Sequence, residues 1–295
     1  MDMPQNTFGS ARLADRGVVR VKGEDTHKLL QGVITNDLGL LARQPAIHAG
    51  LLTPQGKILF DFFVVTAGDD LLLETARDKT SDLVKRLTMY RLRAKVSFED
   101  ISDTVAVTAS WGRAVAPADA TGAVRFPDPR LPDLGTRSIA PSGASRDDEQ
   151  AVAAYHARRI AVGVPEGGKD YAFGDAFPHE ADFDQLHGVS FTKGCFVGQE
   201  VVSRMQNRGT ARKRIVPIEA ASPIVPGATV TAGSAAIGTV GSVAGTLALA
   251  MLRLDRVAEA QRKGEPLTAG GVPISVRKPA WANFDIAPPA AAEAP

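Results

Sequence analysis

Alternating apolar and polar positions at the start of the chain predict two strands followed by a helix. Residues 11–22 have the alternation of a strand pair around a turn at Asp15-Arg16-Gly17. From Gly23 the apolar side chains change to the three- and four-residue spacing of a helix, which ends at Asn36-Asp37. The first forty residues therefore predict a strand, a second strand and a helix in that order.

The next segment predicts a hairpin. Residues 46–53 and 57–66 are apolar runs rich in β-branched and aromatic side chains, and Pro54-Gln55-Gly56 between them is typical of a turn. A third strand is predicted at residues 71–75 and a helix at residues 78–91. Two further strands are predicted at residues 95–98 and 104–111. Together these elements indicate an α+β fold.

The second half of the chain differs from the first in the length and spacing of its predicted elements. After short strands and loops within residues 112–145, a helix is predicted at residues 147–160 and a loop rich in Gly, Pro and Asp at residues 163–192. A long irregular segment in a compact chain is more often functional than filler. A short helix is predicted at residues 200–207, and the β-branched runs from Arg214 onward indicate a small C-terminal β-barrel.

Composition indicates a cellular compartment and argues against some classes of function. Of the 295 residues, 44% are hydrophobic and 23% are charged, which is an ordinary globular balance. A single cysteine excludes an internal disulfide and an all-cysteine metal site, so we expect a reducing compartment and a cytoplasmic protein. No apolar run approaches the roughly 18 residues that a membrane span needs, and we expect no membrane partner. A net charge of +1 argues against a globally basic nucleic-acid binder.

One octapeptide combines residue types that packing alone does not require. Lys193-Gly194-Cys195-Phe196-Val197-Gly198-Gln199-Glu200 places the single cysteine between two glycines, next to a cation, an amide and a carboxylate. The glycines permit backbone geometry or a close approach that a side chain would block. One interpretation is a ligand site; the other is a loop leading into a helix, with Cys195 as a small buried residue.

Basic residues are concentrated in two places. A basic cluster follows the octapeptide at Arg204, Arg208, Arg212, Lys213 and Arg214. An earlier basic segment contains Arg77, Lys79, Lys85, Arg86, Arg91, Arg93 and Lys95. Such runs are usually solvated helix faces, and the alternative for the basic cluster is contact with a polyanion, either a polyglutamate tail or an RNA backbone.

The octapeptide resembles the signature of the YgfZ family, folate-binding proteins linked to iron-sulfur cluster assembly or repair. That family is similar to the glycine-cleavage T-protein, an aminomethyltransferase. Residues 30–37 resemble the end of the family's first helix, and residues 51–61 resemble its first long hairpin. Residues 158–163 and 178–180 fit the segments that precede the signature.

The resemblance implies an architecture in three parts. Residues 1–207 are expected to form two interleaved α+β, ferredoxin-like subdomains, and residues 208–285 a C-terminal β-barrel. Residues 286–295 are expected to be a disordered tail. The fold is expected to bind tetrahydrofolate, and an iron-sulfur cluster only if its ligation is shared with a partner, because one cysteine cannot hold a cluster alone.

The resemblance and the residue types together suggest site residues. Candidates to bind the pterin ring are Asn36, Asp37, Asp61, Gln199 and Glu200, and candidates for the glutamate tail are Lys193, Arg204 and Arg208. Cys195 is the candidate functional thiol. Each has a structural alternative: Asn36-Asp37 as a helix stop, Asp61 as an outer-face strand residue, and Arg204 as a surface arginine.

Two departures from the aminomethyltransferases argue against their reaction. Their hairpin resembles GGxxDD, with one catalytic aspartate, whereas this chain has Phe60-Asp61. Their pterin-binding glutamate lies in an RxEAG-like segment, where this chain has Ala161. Losing a charged hydrogen-bonding partner typically costs about 1.5–3 kcal/mol.

Three functional hypotheses follow from different classes. The favoured hypothesis is a tetrahydrofolate-binding accessory protein that supports iron-sulfur cluster assembly or repair, with assembly proteins or client enzymes as partners and Cys195 as its thiol. The alternative is a folate-dependent one-carbon transferase. The third is a factor that contacts tRNA through the basic cluster, which lacks the aromatic side chains that single-strand recognition normally uses.

Overall fold

A computed structural model of the chain describes residues 9–112, 122–143, 148–209 and 211–286. It divides into two compact units, each discontinuous in sequence. Unit 1 comprises residues 1–155 and 186–201, and unit 2 comprises residues 156–185 and 202–295. Of the expected C-terminal tail, residues 287–295 lie outside the described residues, as do parts of the uncertain region 112–145.

Unit 1 contains two antiparallel sheets. Its strands are β1 (Gly9–Arg12), β2 (Arg16–Lys22), β3 (Ala46–Leu52), β4 (Ile58–Ala67), β5 (Asp70–Ala76), β6 (Ser97–Asp100), β7 (Val105–Trp111), β8 (Val124–Pro127) and β9 (Thr136–Pro141). The five-stranded sheet has the order β3-β4-β5-β2-β6, and the four-stranded sheet has the order β1-β7-β9-β8. The strands at residues 11–22 exist, but the predicted pairing between them is wrong, because β1 pairs with β7 and β2 with β5 and β6.

The helices α1 (Thr26–Val33) and α2 (Thr80–Arg91) cover one face of the five-stranded sheet. Their buried leucines Leu30, Leu83 and Leu87 pack against the apolar side chains of β3, β4 and β5. Successive strand residues point to opposite faces. Phe60 and Phe62 of β4 therefore lie in this core, while Asp61 and Phe63 point to the other face.

The second face of the five-stranded sheet packs against the four-stranded sheet. Val18, Phe63 and Val65 from one sheet meet Val107 and Ile139 from the other in an apolar core. Beside this core lies a network of buried charges. Its members are Arg16, Glu74, Asp128, Arg130, Arg137 and the hydroxyl of Tyr155. A buried charge is costly unless it is paired, and each guanidinium here has a carboxylate partner.

Unit 2 contains a closed six-stranded barrel. Its strands are β10 (Lys213–Ala220), β11 (Thr229–Ala232), β12 (Ala235–Ala244), β13 (Leu247–Arg253), β14 (Leu267–Ala269) and β15 (Val272–Val276), in the order β10-β13-β12-β11-β14-β15. The predicted C-terminal barrel is confirmed. Sequence reasoning missed the helix α5 (Leu254–Lys263), whose buried Leu254, Val257 and Ala258 have helical spacing and whose C-cap is Gly264 in the left-handed conformation.

The helices α3 (Glu149–Ala161) and α4 (Gln199–Arg208) flank the long irregular segment. Within unit 2 this segment is fixed by buried ion pairs. Arg159 donates to Asp170 at 2.6 Å and to the hydroxyl of Ser242 at 2.7 Å. Arg214 donates to Asp182 at 3.0 Å and to both carboxylate oxygens of Asp184. The part of this segment that belongs to unit 2 is therefore held by buried ion pairs even though it contains almost no regular structure.

The helices of the described residues include none that is both long and apolar enough to cross a membrane.

Candidate functional site

The octapeptide packs against the β3–β4 hairpin through two glycines. A Cβ atom on Gly198 would lie 2.6 Å from the carbonyl oxygen of Thr53 and 3.0 Å from the Cα of Gly56. A Cβ atom on Gly56 would lie 2.9 Å from the Cβ of Val201. Both glycines have positive φ, at +81°. Glycine is therefore required at both positions, by close approach and by backbone conformation together.

Lys193 fastens the beginning of the octapeptide to the end of α1. Its Nζ donates to the carbonyl oxygens of Gln31 at 2.7 Å and Ile34 at 2.6 Å, and it lies 5.3 Å from the ring centre of Phe196. The last carbonyls of a helix lack partners within the helix, and a cation is favourable there. Desolvation, opposed by the charge of Asp37, lowers the pKa of Lys193 from 10.5 to about 8.

Cys195 is exposed, so the alternative of a small buried cysteine is wrong. It is the single cysteine of the chain. Its neighbour Gly194 has a φ of +99° and no atom within 4 Å of the place a Cβ would occupy. The chain on one side of Cys195 is held by Lys193, and Phe196 on the other side is buried. The thiol is thus presented to solvent from a short segment that is fixed at both ends.

Asn36 has its polar atoms committed within unit 1. Its Nδ2 donates to the carbonyl oxygens of His48 and His187, both at 2.7 Å, and its Oδ1 accepts from the amide of Asp37 at 2.8 Å. Asn36 is buried, at 4% exposure. The side chain therefore joins β3 to the loop before the octapeptide, and it keeps one lone pair of Oδ1 beyond these three bonds.

Asp37 also acts locally. Its Oδ1 accepts from the side-chain amide of Gln31 at 3.0 Å and from the backbone amide of Gly39 at 2.9 Å, which caps a short 3-10 helix, Leu38–Ala42. These contacts agree with the interpretation of Asn36-Asp37 as a helix stop. Neighbouring Thr35 adds a bond to the carbonyl of Gly188 at 2.6 Å. The turn after α1 is therefore the surface on which the octapeptide's leading loop rests.

Asp61 lies on the opposite face of the five-stranded sheet from Phe60. In the register of β3 and β4 it faces Gly50, next to the pair formed by His48 and Phe63. It is buried, at 8% exposure. Burial, aided by the charge of Arg130 and opposed by the carboxylate of Asp61, lowers the pKa of His48 from 6.5 to about 4. Asp61 and a neutral His48 thus form a buried polar pair on that face, which disagrees with an outer-face position for Asp61.

The other candidate residues lie on α4. Gln199 and Glu200 begin this helix in unit 1, with Glu200 exposed, whereas Arg204 is exposed in unit 2. Arg208 is the last residue of α4, and its side chain lies outside the described part of the chain. Asn36, Asp37, Asp61, Lys193, Cys195, Gln199 and Glu200 all belong to unit 1.

The structure places both departures from the aminomethyltransferases and explains the first. Phe60 is 6% exposed and belongs to the apolar core under α1 and α2, so it contributes packing rather than a ring in a ligand site. Ala161 ends α3 and is half-buried. The next carbonyl, of Val162, accepts from the indole nitrogen of Trp281 at 2.8 Å.

Sequence reasoning missed several residues that hold the site together. Gln31 bridges the end of α1 to Asp37 and Leu38, and His48 Nδ1 lies 3.2 Å from the carbonyl of Leu186. Gln31 lies in a segment that the family resemblance covers, and this resemblance could have identified it as a site residue. The contact of His48 had no sequence signal, because its partner is 138 positions away.

The described residues offer no ready-made metal centre. No group of three or more His, Cys, Asp or Glu side chains within the described ranges is arranged to hold a metal ion. As the single cysteine of the chain, Cys195 can supply one thiolate ligand at most.

Comparison with known proteins gives consistent matches. A family model described as the CAF17 C-terminal β-barrel domain matches residues 212–284. The iron-sulfur cluster assembly factor IBA57, mitochondrial, of Homo sapiens is 33% identical over 280 residues, covering 83% of this chain and 78% of the human protein. The IBA57 homologs of Neurospora crassa and Mycosarcoma maydis are 32% and 35% identical, each over 74% of this chain. The chain spans only 56% and 58% of those two fungal proteins.

A solved structure shows the same fold. Glycine cleavage system aminomethyltransferase T from Bartonella henselae has a TM-score of 0.76 to this chain, covering 94% of this chain and 87% of that chain. The sequence identity is 16%, so the likeness shows the fold alone. The predicted T-protein-like α+β fold with a C-terminal barrel is confirmed.

The expectation of a cytoplasmic protein is wrong. It was drawn from the single cysteine. The relatives from Homo sapiens, Neurospora crassa and Mycosarcoma maydis are all mitochondrial by name. A single cysteine indicates only a reducing compartment, and such compartments are not confined to the cytoplasm.

The family assignment is also sharper than the octapeptide indicated. The matches are to IBA57 and CAF17, and the YgfZ family is a bacterial relative within the same superfamily. At 33% identity over 78% of the human protein, and with a matching barrel domain, this chain belongs to the IBA57 family.

Proposed function

We propose that this chain supports iron-sulfur cluster assembly, with Cys195 as a thiol that binds a cluster together with ligands from a second molecule. The observation that carries the proposal is the exposure of the chain's single cysteine on a segment held by Lys193 and Gly198. The relatives named as iron-sulfur cluster assembly factors support the assembly role.

Rigid presentation of the thiol suits shared ligation. A cluster carried by a partner is already surrounded by that partner's ligands, so a further ligand must project from the surface to reach it. Cys195 is exposed, and the adjacent Gly194 leaves open space where a side chain would stand. Anchoring by Lys193 and Phe196 reduces the conformational entropy that binding would otherwise cost.

The ligation step requires no oxidant or reductant. The thiol of Cys195 releases its proton to solvent, and the resulting thiolate donates an electron pair to an iron atom of the cluster, displacing a weaker ligand. The oxidation states of iron and sulfide are unchanged. The step therefore depends on access and on a partner that leaves one iron site replaceable.

Shared ligation can be tested by anaerobic reconstitution with ferric iron, sulfide and glutathione as the second thiol. The wild-type chain is expected to acquire the visible absorption of a thiolate-ligated cluster, and Cys195→Ser is expected to lose it. Gly32→Ala, a change in open space on α1, is the matched control and should behave as wild type. Equal absorption in Cys195→Ser, or no absorption in any of the three, would contradict a ligand role for Cys195.

Tetrahydrofolate is the second ligand that we propose, because the fold is that of a T-protein. The residues fit it only in part. Most of the hydrogen-bonding capacity of Asn36 and Lys193 is used within unit 1, which leaves one lone pair on Asn36 Oδ1 and one N–H on Lys193. Asp61 is a buried carboxylate on a sheet face, the kind of group that reads ring nitrogens of a pterin. When bound, tetrahydrofolate supplies a reduced pterin that can carry one-carbon units, and Asp61 would orient it.

The folate proposal has its own test. A ligand that binds only the native state raises the melting temperature, so tetrahydrofolate is expected to stabilise the wild-type chain. Asp61→Asn is expected to abolish the shift, while Glu219→Gln, an exposed change on the barrel, should retain it. No shift in the wild type at millimolar ligand would remove tetrahydrofolate from the account.

The same fold is compatible with one-carbon transfer, but nothing in the described residues restores the missing carboxylates. The burial of one basic residue also makes contact between tRNA and the basic cluster less favoured than it was from the sequence alone. Arg214, one of the five members of the basic cluster, is buried and pairs with Asp182 and Asp184, so it does not face a polyanion.

A further inference from the structure

The earlier basic segment ends in an unusual surface on unit 1. Met89 is 68% exposed and Leu92 is 88% exposed, in the last turn of α2 and directly after it. Arg86, Arg91 and Arg93 lie beside them in sequence, and none forms an ion pair with a described residue. We define this surface, Lys85 to Lys95, as the α2 tip.

The backbone conformation at Leu92 is strained, and the turn around it is held by hydrogen bonds. Leu92 has φ of +46°, in the left-handed region that disfavours a branched side chain. The turn is not frayed, since the amide of Ala94 donates to the carbonyl of Arg91 at 2.7 Å and the amide of Lys95 donates to the carboxylate of Asp25 at 2.8 Å. Gly23 packs against the carbonyl of Lys95, where a Cβ would lie 2.0 Å away. The fold therefore holds a large apolar side chain in solvent at the cost of strain.

The charges around the two apolar side chains are mostly positive. Lys85 pairs with Asp82 and Lys95 with Glu24, and in both pairs the side chains are more than half exposed, so these pairs are weak. By helical spacing Lys85, Arg86 and Met89 share one face of α2. The α2 tip thus has five cations against three neighbouring carboxylates, those of Asp82, Glu24 and Asp25, with Met89 and Leu92 at its end.

We propose that the α2 tip binds an anionic lipid surface, with Met89 and Leu92 entering the headgroup region and the arginines contacting lipid phosphates. Clusters of four or more Lys and Arg favour anionic membranes, and neighbouring apolar side chains add insertion energy. Two apolar side chains that project singly need no shaped groove in a partner. An RNA backbone would match the charge but not the apolar pair, and the α2 tip lacks an exposed aromatic ring for stacking on bases.

This proposal differs from the sequence expectation of no membrane partner. That expectation rested on the lack of a spanning segment. A surface that rests on lipid headgroups needs none.

The test is co-sedimentation of the purified chain with vesicles. Binding is expected to vesicles of phosphatidylcholine with phosphatidylglycerol, not to phosphatidylcholine alone, and to fall at high salt, which screens charges. Arg91→Gln with Arg93→Gln should weaken binding by about fivefold per cation removed. Lys213→Gln with Arg262→Gln removes the same charge from exposed positions of unit 2 and should change nothing.

Leu92→Gly separates binding from folding. Glycine relieves the strain at φ +46°, so this variant is expected to melt no lower than wild type. Its binding to the anionic vesicles should nevertheless fall by about tenfold, because the inserted side chain is gone.

Three results would overturn the proposal. The first is that the wild-type chain does not distinguish the vesicles, either because it binds neutral and anionic vesicles equally or because it binds neither. The second is an equal loss of binding in the unit 2 control. The third is unchanged binding by Leu92→Gly. Retardation of tRNA by the wild-type chain without vesicle binding, lost in the double arginine variant, would assign the α2 tip to RNA instead.

Discussion

Lys193 joins the octapeptide to the end of α1 by donating to two backbone carbonyl oxygens that the helix itself leaves without partners. This geometry gives the lysine a positioning role for the segment that carries Cys195. The ammonium group has three N–H donors, so one remains for a glutamate tail of a folate.

Lys193→Met is expected to lower the free energy of unfolding by about 2 kcal/mol, because two hydrogen bonds from a charged donor are lost while the apolar stem is kept. Urea unfolding of the two proteins at one pH measures the difference. Lys28→Met, an exposed lysine on α1, is the control and should differ from wild type by less than about 0.5 kcal/mol. Equal stability of Lys193→Met and wild type would show that these bonds do not hold the segment.

Because His48 is buried, the free energy of unfolding is expected to depend on pH. Its pKa is lowered from 6.5 to about 4 in the folded chain by burial and by the charge of Arg130, so the unfolded chain binds a proton at a higher pH than the folded chain. The stabilisation is complete above pH 6.5 and is lost as the pH falls from 6.5 to 4. Its full size is about 3 kcal/mol.

A variant isolates this effect from other titrating groups. His48→Gln is expected to lose less stability than wild type between pH 6.5 and pH 4.5, measured by urea unfolding at several pH values. Parallel loss in both proteins would mean that His48 does not titrate in this range and that the acid sensitivity has another source.

At the scale of single residues, the sequence selected candidate side chains without indicating what they contact, and their functional roles stay predictions. The octapeptide identified Cys195 and Lys193 from residue types alone. The partner of Lys193 at Ile34 is 159 positions away, and such long-range bonds leave no trace in local spacing. Asn36 follows the end of α1, as the helix-stop alternative expected, while its role in binding a pterin stays a prediction. Its bonds to His48 and His187 depend on the tertiary fold.

Among the elements, the contact between the octapeptide and the β3–β4 hairpin depends on Gly198. We expect Gly198→Ala to destabilise the chain by about 3 kcal/mol or more, because the new methyl group would meet the carbonyl of Thr53 and the residue has φ of +81°. Thermal or urea unfolding measures the loss.

Two other glycines separate the causes. Gly194→Ala has open space but a φ of +99°, so it should cost only the backbone strain, about 1–2 kcal/mol. Gly32→Ala lies in open space on α1 and should stabilise the chain by about 0.5–1 kcal/mol. Equal effects at Gly194 and Gly198 would show that the close contact with the hairpin is unimportant.

Elements were predicted where local pattern and turn chemistry agreed. The β3–β4 hairpin and α2 appear close to their expected residues. The pairing of β1 with β2 was wrong because alternation marks a strand without naming its partner. The helix α5 was missed because its short amphipathic pattern stands among strands, although Gly264 follows it at the C-cap.

On the scale of the whole molecule, the T-protein-like fold and the barrel were predicted through the family resemblance more than through periodicity. The compact units divide the chain differently from the expected boundary after residue 207, since residues 156–185 group with the barrel. The ion pair Arg159–Asp170 and the bond from Arg159 to Ser242 join residues 156–185 to the barrel. No change in composition along the chain indicates these contacts. The compartment was the expectation that failed, because one cysteine does not distinguish one reducing compartment from another.

The most direct test of the central claim is rescue of iron-sulfur enzyme activity in cells that lack this protein. Wild type is expected to restore the activity of an affected iron-sulfur enzyme, and Cys195→Ala is expected not to, although the variant has the same melting temperature and abundance. Gly32→Ala is the control that should rescue fully. Full rescue by Cys195→Ala would contradict the claim that the exposed thiol is the working group of this chain.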